Sequence, residues 1–177
     1  MRRLLIIGSP GSGKSKLAKE LALMTGLPLI HLDQIYWRPK WIEPSKAEWR
    51  NQLHPLLATP AWIMDGNYGG SLPLRMQFAD TVILLDLPAS ICLWRVTKRL
   101  IFSWRRNRPD MAKDCPERFD LTFLLYVASF RRKKLPGLRA TLKEFSGQTI
   151  VLTSQRQMRE LRGSLRPHGE DQLPSAS

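Results

Sequence analysis

Residues 8–15, Gly8-Ser9-Pro10-Gly11-Ser12-Gly13-Lys14-Ser15, match the spacing G-x-x-x-x-G-K-[ST]. That spacing has a specific chemistry. Glycines let consecutive backbone N–H groups curl around an anion, and the helix that follows adds the positive end of its dipole. A lysine at position 14 reaches the β- and γ-phosphates of a nucleotide, and a hydroxyl at position 15 ligates Mg²⁺. An apolar run, Leu4–Ile7, leads into the loop, and a helical pattern follows it, so the motif has the strand–loop–helix context its mechanism requires. Gly8, Ser9, Pro10, Gly11, Ser12, Gly13, Lys14 and Ser15 are therefore the expected nucleotide-binding set, with ATP and Mg²⁺ as the implied ligands.

Three acids follow apolar runs that read as strands: Asp33 after Leu29–Leu32, Asp65 after Trp62–Met64 and Asp86 after Val82–Leu85. Open α/β sheets gather their ligands beyond the carboxyl ends of the strands, so all three are candidates. Asp65 could hold Mg²⁺ through its waters. Asp33 could orient or deprotonate an acceptor hydroxyl. Each could equally cap a helix or close a turn, and for Asp86 the start of a helix just beyond it favours the cap.

Charge supplies the next signal. The net charge is +13, with 10 Lys/Arg against 7 Asp/Glu in residues 1–90 and 18 against 8 in residues 91–177. No acid occurs from Leu87 to Pro109, where Arg95, Lys98, Arg99, Arg105, Arg106 and Arg108 fall. Arg95 and Arg99 share a helix face and repel, and a phosphate ligand would relieve them. Arg99 and Arg108 are expected to stabilise charge on a transferring phosphoryl group. Such a surface would also bind nucleic acid weakly and without sequence preference. The run Arg131-Arg132-Lys133-Lys134 suits a helix C-terminus. Tyr36, Trp37 and Trp41 lie beside Asp33 with Arg38 and Lys40, and form either a platform for a base or sugar, with Arg38 on an acceptor phosphate, or ordinary packing. His31, His54 and His168 lack metal-ligand spacing and receive no role.

The elements that must position these groups alternate strand and helix, the pattern of a parallel α/β sheet. Strands are expected at Leu4–Ile7, Leu29–Leu32, Ala61–Met64, Thr81–Leu85 and Thr149–Leu152. Helices are expected at Lys14–Met24, from Ser45 to about Leu57, from about Ser90 to Ser103, and at Phe119–Lys134, Pro136–Phe145 and Ser154–Arg162. Trp104–Arg118, basic and broken by two prolines, reads as a mobile excursion. Residues 1–162 form one expected domain and 163–177 a loose tail. At 43% hydrophobic the chain can build a core, yet no stretch approaches the ~20 apolar residues of a membrane span. Cys92 and Cys115 have no metal spacing, and the expectation is a cytoplasmic protein with reduced thiols.

The loop, Asp65-Gly66, Val82–Pro88 and the arginine-rich segment resemble the adenylate-kinase-like branch of small P-loop kinases. More narrowly, the chain is similar to the bacterial group of DNA topology modulation proteins. The matching residues are His31-Leu32-Asp33 with Trp37, Trp62 to Tyr68, Arg75 before Ala79-Asp80-Thr81, Arg95 and Arg99, Arg108-Pro109-Asp110-Met111, and Cys115 with Glu117-Arg118-Phe119. The resemblance implies a three-layer α/β P-loop NTPase fold like that of nucleoside monophosphate kinases, with a five-stranded parallel sheet and a small basic lid at about 104–118. It implies ATP on the loop, Arg95 or Arg99 near it, and residues 153–156 bordering the base. Adenylate kinases carry Asp-Gly-Phe-Pro-Arg where this chain has Asp65-Gly66-Asn67-Tyr68-Gly69, so Arg75 or Arg38 would have to hold an acceptor phosphate. The function this implies is transfer of the γ-phosphoryl of Mg-ATP to a small acceptor, a nucleotide among the candidates. A nucleic-acid-binding regulator that uses the loop as a switch is the alternative. No Asn-Lys-x-Asp guanine signature supports a GTPase.

Overall fold

A computed structural model describes residues 1–102, 110–115 and 120–165. Five strands form one parallel sheet: β1 (Arg3–Gly8), β2 (Leu29–His31), β3 (Trp62–Asp65), β4 (Thr81–Leu85) and β5 (Gln148–Leu152). Their order is β2-β3-β1-β4-β5. The chain steps to one side of β1 for β2 and β3 and to the other for β4 and β5. Ligands of open sheets bind where the strand order reverses in this way, and the end of β1 is the phosphate loop.

Alternation along β1 explains why its apolar run is continuous. Leu4 and Ile6 pack with Leu17, Ala18 and Leu21 of α1 (Lys14–Thr25) and with Cys92, Val96 and Leu100 of α5 (Ala89–Phe102). Leu5 and Ile7 face the opposite side, against Trp49, Leu53 and Leu57 of α3 (Lys46–Ala58). Side chains two apart share a face, so a strand covered on both sides must be apolar throughout.

The remaining helices are α2 (Leu32–Tyr36), α4 (Leu72–Met76), α6 (Leu121–Lys133), α7 (Leu135–Lys143) and α8 (Gln155–Leu165). Ser45 caps α3 in a reciprocal box: its hydroxyl accepts from the Glu48 N–H at 3.2 Å, and the Ser45 N–H donates to Glu48 at 2.8 Å. Asp120 caps α6 by accepting from the Phe123 N–H.

Among the boundaries that differ from the sequence expectation, two bear on the site and the domain limit. Leu32 opens α2 rather than closing β2, which puts Asp33 in the first turn of a helix. The last helix continues to Leu165, past the expected domain end at 162. The expected lid at 104–118 lies outside the described residues except for 110–115, and Arg105, Arg106 and Arg108 lie outside with it.

Candidate active site

The phosphate loop is held in its curled shape from three directions. Gly8 has φ +141° and Gly11 φ +78°, a region L side chains rarely adopt. A Cβ at Gly8 would strike the Leu85 carbonyl oxygen of β4, and one at Gly11 the Cys92 carbonyl oxygen of α5. The loop therefore lies flat on β4 and α5, with no room for a side chain at either glycine. Arg95 of α5 donates to the Ser12 carbonyl at 3.2 Å and the Gly11 carbonyl at 3.5 Å. Asn67, beyond β3, accepts from the Gly8 N–H at 2.9 Å through its side-chain oxygen. Lys14 Nζ reaches back to the Ser9 carbonyl at 3.1 Å. Ser9 and Ser12 are buried in the loop. Burial pushes the Cys92 thiol up, so this residue packs beneath the loop as an apolar group.

A cleft of 1310 Å³ opens over the carboxyl ends of the strands. Pro10, Gly11, Gly13, Lys14, Ser15, Arg95 and Arg99 line one part of it, and Asp33, Trp37, Trp41, Asp65 and Tyr68 line another. Gln155, Met158 and Arg162 of α8 border the loop side, where Arg162 donates to Glu20 of α1 at 2.7 Å. Of residues 153–156, expected to border the base, Gln155 lines the cleft.

The acceptor side rests on an unusual backbone. Tyr68 has φ 34°, a left-handed conformation in a bulky residue that costs roughly 1–3 kcal/mol. What holds it there is Arg75 of α4. Its guanidinium, with no exposed surface, donates to the carbonyls of Gly66 at 3.1 Å, Asn67, and Tyr68 at 3.2 Å. Burial lowers its pKa to about 10, so it remains charged at neutral pH. Held this way, Tyr68 donates its hydroxyl to Asp33 Oδ1 at 2.5 Å. Burial, then the Asp33 charge, push the phenol far above its ordinary value, so it stays a donor.

The two arginines expected at an acceptor phosphate both lie outside the cleft lining. Arg75 is enclosed, and its bonds to the backbone carbonyls shape the 66–68 turn. Arg38 is outside the cleft lining, and its guanidinium donates to Glu48 at 2.8 Å. Asp86 is no helix cap either: it accepts from Arg131 at 2.9 Å and Arg139 at 2.6 Å, tying α6 and α7 to the end of β4. Of the aromatic trio, Trp37 and Trp41 line the cleft. Tyr36, half-buried, packs against other rings, its own 5.0 Å from Trp49 and 4.3 Å from Tyr68.

Asp65 ends β3, 5% exposed, and lines the same cleft as Ser15. Its Oδ2 is 3.0 Å from His31 Nδ1, while its Oδ1 is buried without a hydrogen-bond partner among the described residues. An anionic oxygen left in that state suits the water shell of a cation, so Ser15 and Asp65 fit the expected Mg²⁺ ligation. His31 and Asn67 were given no role from the sequence. Their signal lies in adjacency: His31 precedes Leu32-Asp33 and Asn67 follows Asp65-Gly66, both at strand ends.

Comparison with solved structures places this architecture. A shikimate kinase from Acinetobacter baumannii, in complex with shikimate, superposes with a TM-score of 0.63 over 93% of this chain and 90% of its own, at 16% identity. One from Bacteroides thetaiotaomicron gives 0.54 over 93% and 96%, also at 16% identity. The chain shares their α/β P-loop fold with a five-stranded parallel sheet. At such identity the likeness shows the fold alone. No family model matches the sequence, and no curated protein matches it. Among the described residues, no helix is long and apolar enough to cross a membrane, and no group of three or more His, Cys, Asp or Glu could hold a metal ion.

Proposed function

We propose that the chain is an ATP-dependent kinase that transfers the γ-phosphoryl group of Mg-ATP to a hydroxyl of a small acceptor. The observation that carries this is the composition of one cleft: Lys14 and Ser15 of the phosphate loop, and with them Asp33 held by the Tyr68 hydroxyl. The fold shared with shikimate kinases supports the same class of reaction.

In this scheme the loop N–H groups and Lys14 hold the β- and γ-phosphates, and Ser15 and Asp65 hold the cation. When bound, Mg²⁺ neutralises charge on the phosphates. Asp33 accepts the proton of the acceptor hydroxyl as its oxygen bonds to the γ-phosphorus, and the bond to the β-phosphate oxygen breaks to release ADP. Arg99, in the cleft lining, and Arg108 are the proposed partners of the developing charge. A hydroxyl acceptor is favoured over a nucleoside monophosphate because both arginines proposed for an acceptor phosphate, Arg38 and Arg75, are engaged elsewhere. A monophosphate is already mostly ionised at neutral pH and needs no base. Trp37 and Trp41 offer ring faces to the acceptor.

Asp33→Asn tests the scheme. Single-turnover transfer to a hydroxyl acceptor should fall by roughly 10² to 10⁴, the usual worth of a general base, with ATP affinity retained. Unchanged transfer would reduce Asp33 to a helix-turn residue.

A further inference from the structure

The sequence gives His31 no task, yet its position is tightly specified. β2 and β3 are parallel and pair His31 with Asp65 directly. Paired residues of parallel strands project to the same face. Ile63 and Leu29, two residues before each, pack in the cluster with Leu17, Ala18 and Leu21 of α1. His31 and Asp65 therefore project to the side of the sheet that α1 covers, and the first turn of α1 carries Ser15.

The hydrogen bond between them has one direction. An ionised carboxylate only accepts, so the proton lies on His31 Nδ1 and is donated to Asp65 Oδ2. His31 Nε2 is buried with no partner, so among the described residues Asp65 receives the ring's one hydrogen bond. A carboxylate turns about a broad, two-fold terminal torsion. Anchoring Oδ2 fixes that torsion and leaves Oδ1, without a partner among the described residues, as the second oxygen of a residue that lines the cleft.

We propose that His31 is a positioning residue for cation binding: its Nδ1–H locks the Asp65 carboxylate so that Oδ1 accepts from the water shell of the nucleotide-bound Mg²⁺. The inference rests on the kinase reading, which supplies the cation. Partners that orient metal-facing groups are typically worth about 10- to 100-fold in metal affinity or activity.

The test uses the full chain with ADP and Mn²⁺, with metal affinity read by electron paramagnetic resonance and metal-free ADP affinity by calorimetry in chelator. Three variants separate the ring nitrogens. H31N keeps an N–H near Nδ1, H31Q places one near Nε2, and H31F removes both at similar volume. H31Q and H31F should weaken Mn²⁺ binding by about 10- to 100-fold, H31N should stay within about threefold of the parent, and metal-free ADP binding should not change. Should H31F fail to fold, the contrast between H31N and H31Q decides. Equal Mn²⁺ affinity in H31N and H31Q overturns the proposal, as does a matching loss of metal-free ADP affinity. A parent protein whose ADP complex binds no Mn²⁺ overturns the cation reading itself, and this inference with it.

Discussion

The two sides of the cleft are built by different means. On the nucleotide side, one contiguous segment supplies the loop, its lysine, its hydroxyl and the helix dipole, and the neighbours Arg95 and Asn67 bond to its backbone. On the acceptor side, Asp33 from α2 is met by Tyr68 from a turn more than thirty residues later, and that turn is shaped by Arg75 from α4. A site made of backbone N–H groups survives wherever its glycines survive. A site made of side chains from separate elements depends on every element that aims them. The nucleotide side should therefore break at single residues that touch ATP, and the acceptor side at residues that touch nothing but backbone.

Lys14→Ala is the largest break expected. Loss of one preorganised charge-stabilising donor typically costs about 10² to 10³ in rate, and Lys14 carries a full charge, so transfer should be abolished in practice. ATP calorimetry should show weakened binding, while the melting temperature stays near that of the parent. Near-parental turnover would remove the loop from the mechanism.

Arg75→Met sharpens the contrast from the other side. It leaves the Gly66 and Asn67 carbonyls without the donor that holds them and frees the left-handed Tyr68 to relax. Unsatisfied buried acceptors cost about 1–3 kcal/mol each, so a stability loss of about 2–4 kcal/mol is expected in denaturant melts. Acceptor turnover should fall with it while ATP affinity in the folded fraction persists. If ATP affinity falls in parallel, the two sides are one unit and the comparison fails.

Tyr68→Phe is a finer probe, since it deletes one hydrogen bond to a charged acceptor and keeps the ring packed on Tyr36 and Trp49. A loss of about 1.5–3 kcal/mol in transition-state stabilisation should appear in kcat/KM for the acceptor, with KM for ATP unmoved. An effect on ATP alone would place Tyr68 on the wrong side.

The smallest effect concerns pH. The Ser45 N–H, and then Arg38, hold the Glu48 carboxyl at about 2 against an ordinary 4.5. A depressed carboxyl contributes stability that is complete above its unfolded pKa and lost as pH falls through the folded one. The α3 cap should therefore weaken between about pH 4.5 and pH 2. Glu48→Gln should flatten that limb of a melting-temperature profile, with ATP binding at neutral pH unaffected.

The legible parts were those whose physics is local. Five strands and the phosphate loop could be read from short apolar runs and one spacing, because a strand buried on both faces must be apolar and a curled loop must have glycine. Asp33 and Asp65 could be named because strand ends are where ligands gather. The destinations of the long cationic side chains could not be read. Arg38 and Arg75 each looked available by type and position, and each found a carboxylate or a set of carbonyls elsewhere in the fold. Burial chose the partners of Arg75, because a guanidinium enclosed by the fold must be satisfied by whatever surrounds it. His31 shows the same limit in reverse. Alone in the sequence it is one histidine among three, and only the parallel pairing of β2 with β3 sets it against Asp65. The sequence by itself determined the phosphate loop, the alternation of strands and helices, and that the central strands are apolar on both faces. The tertiary structure decided which side chains meet across the sheet, because those meetings depend on strand order and register, and no local propensity encodes either.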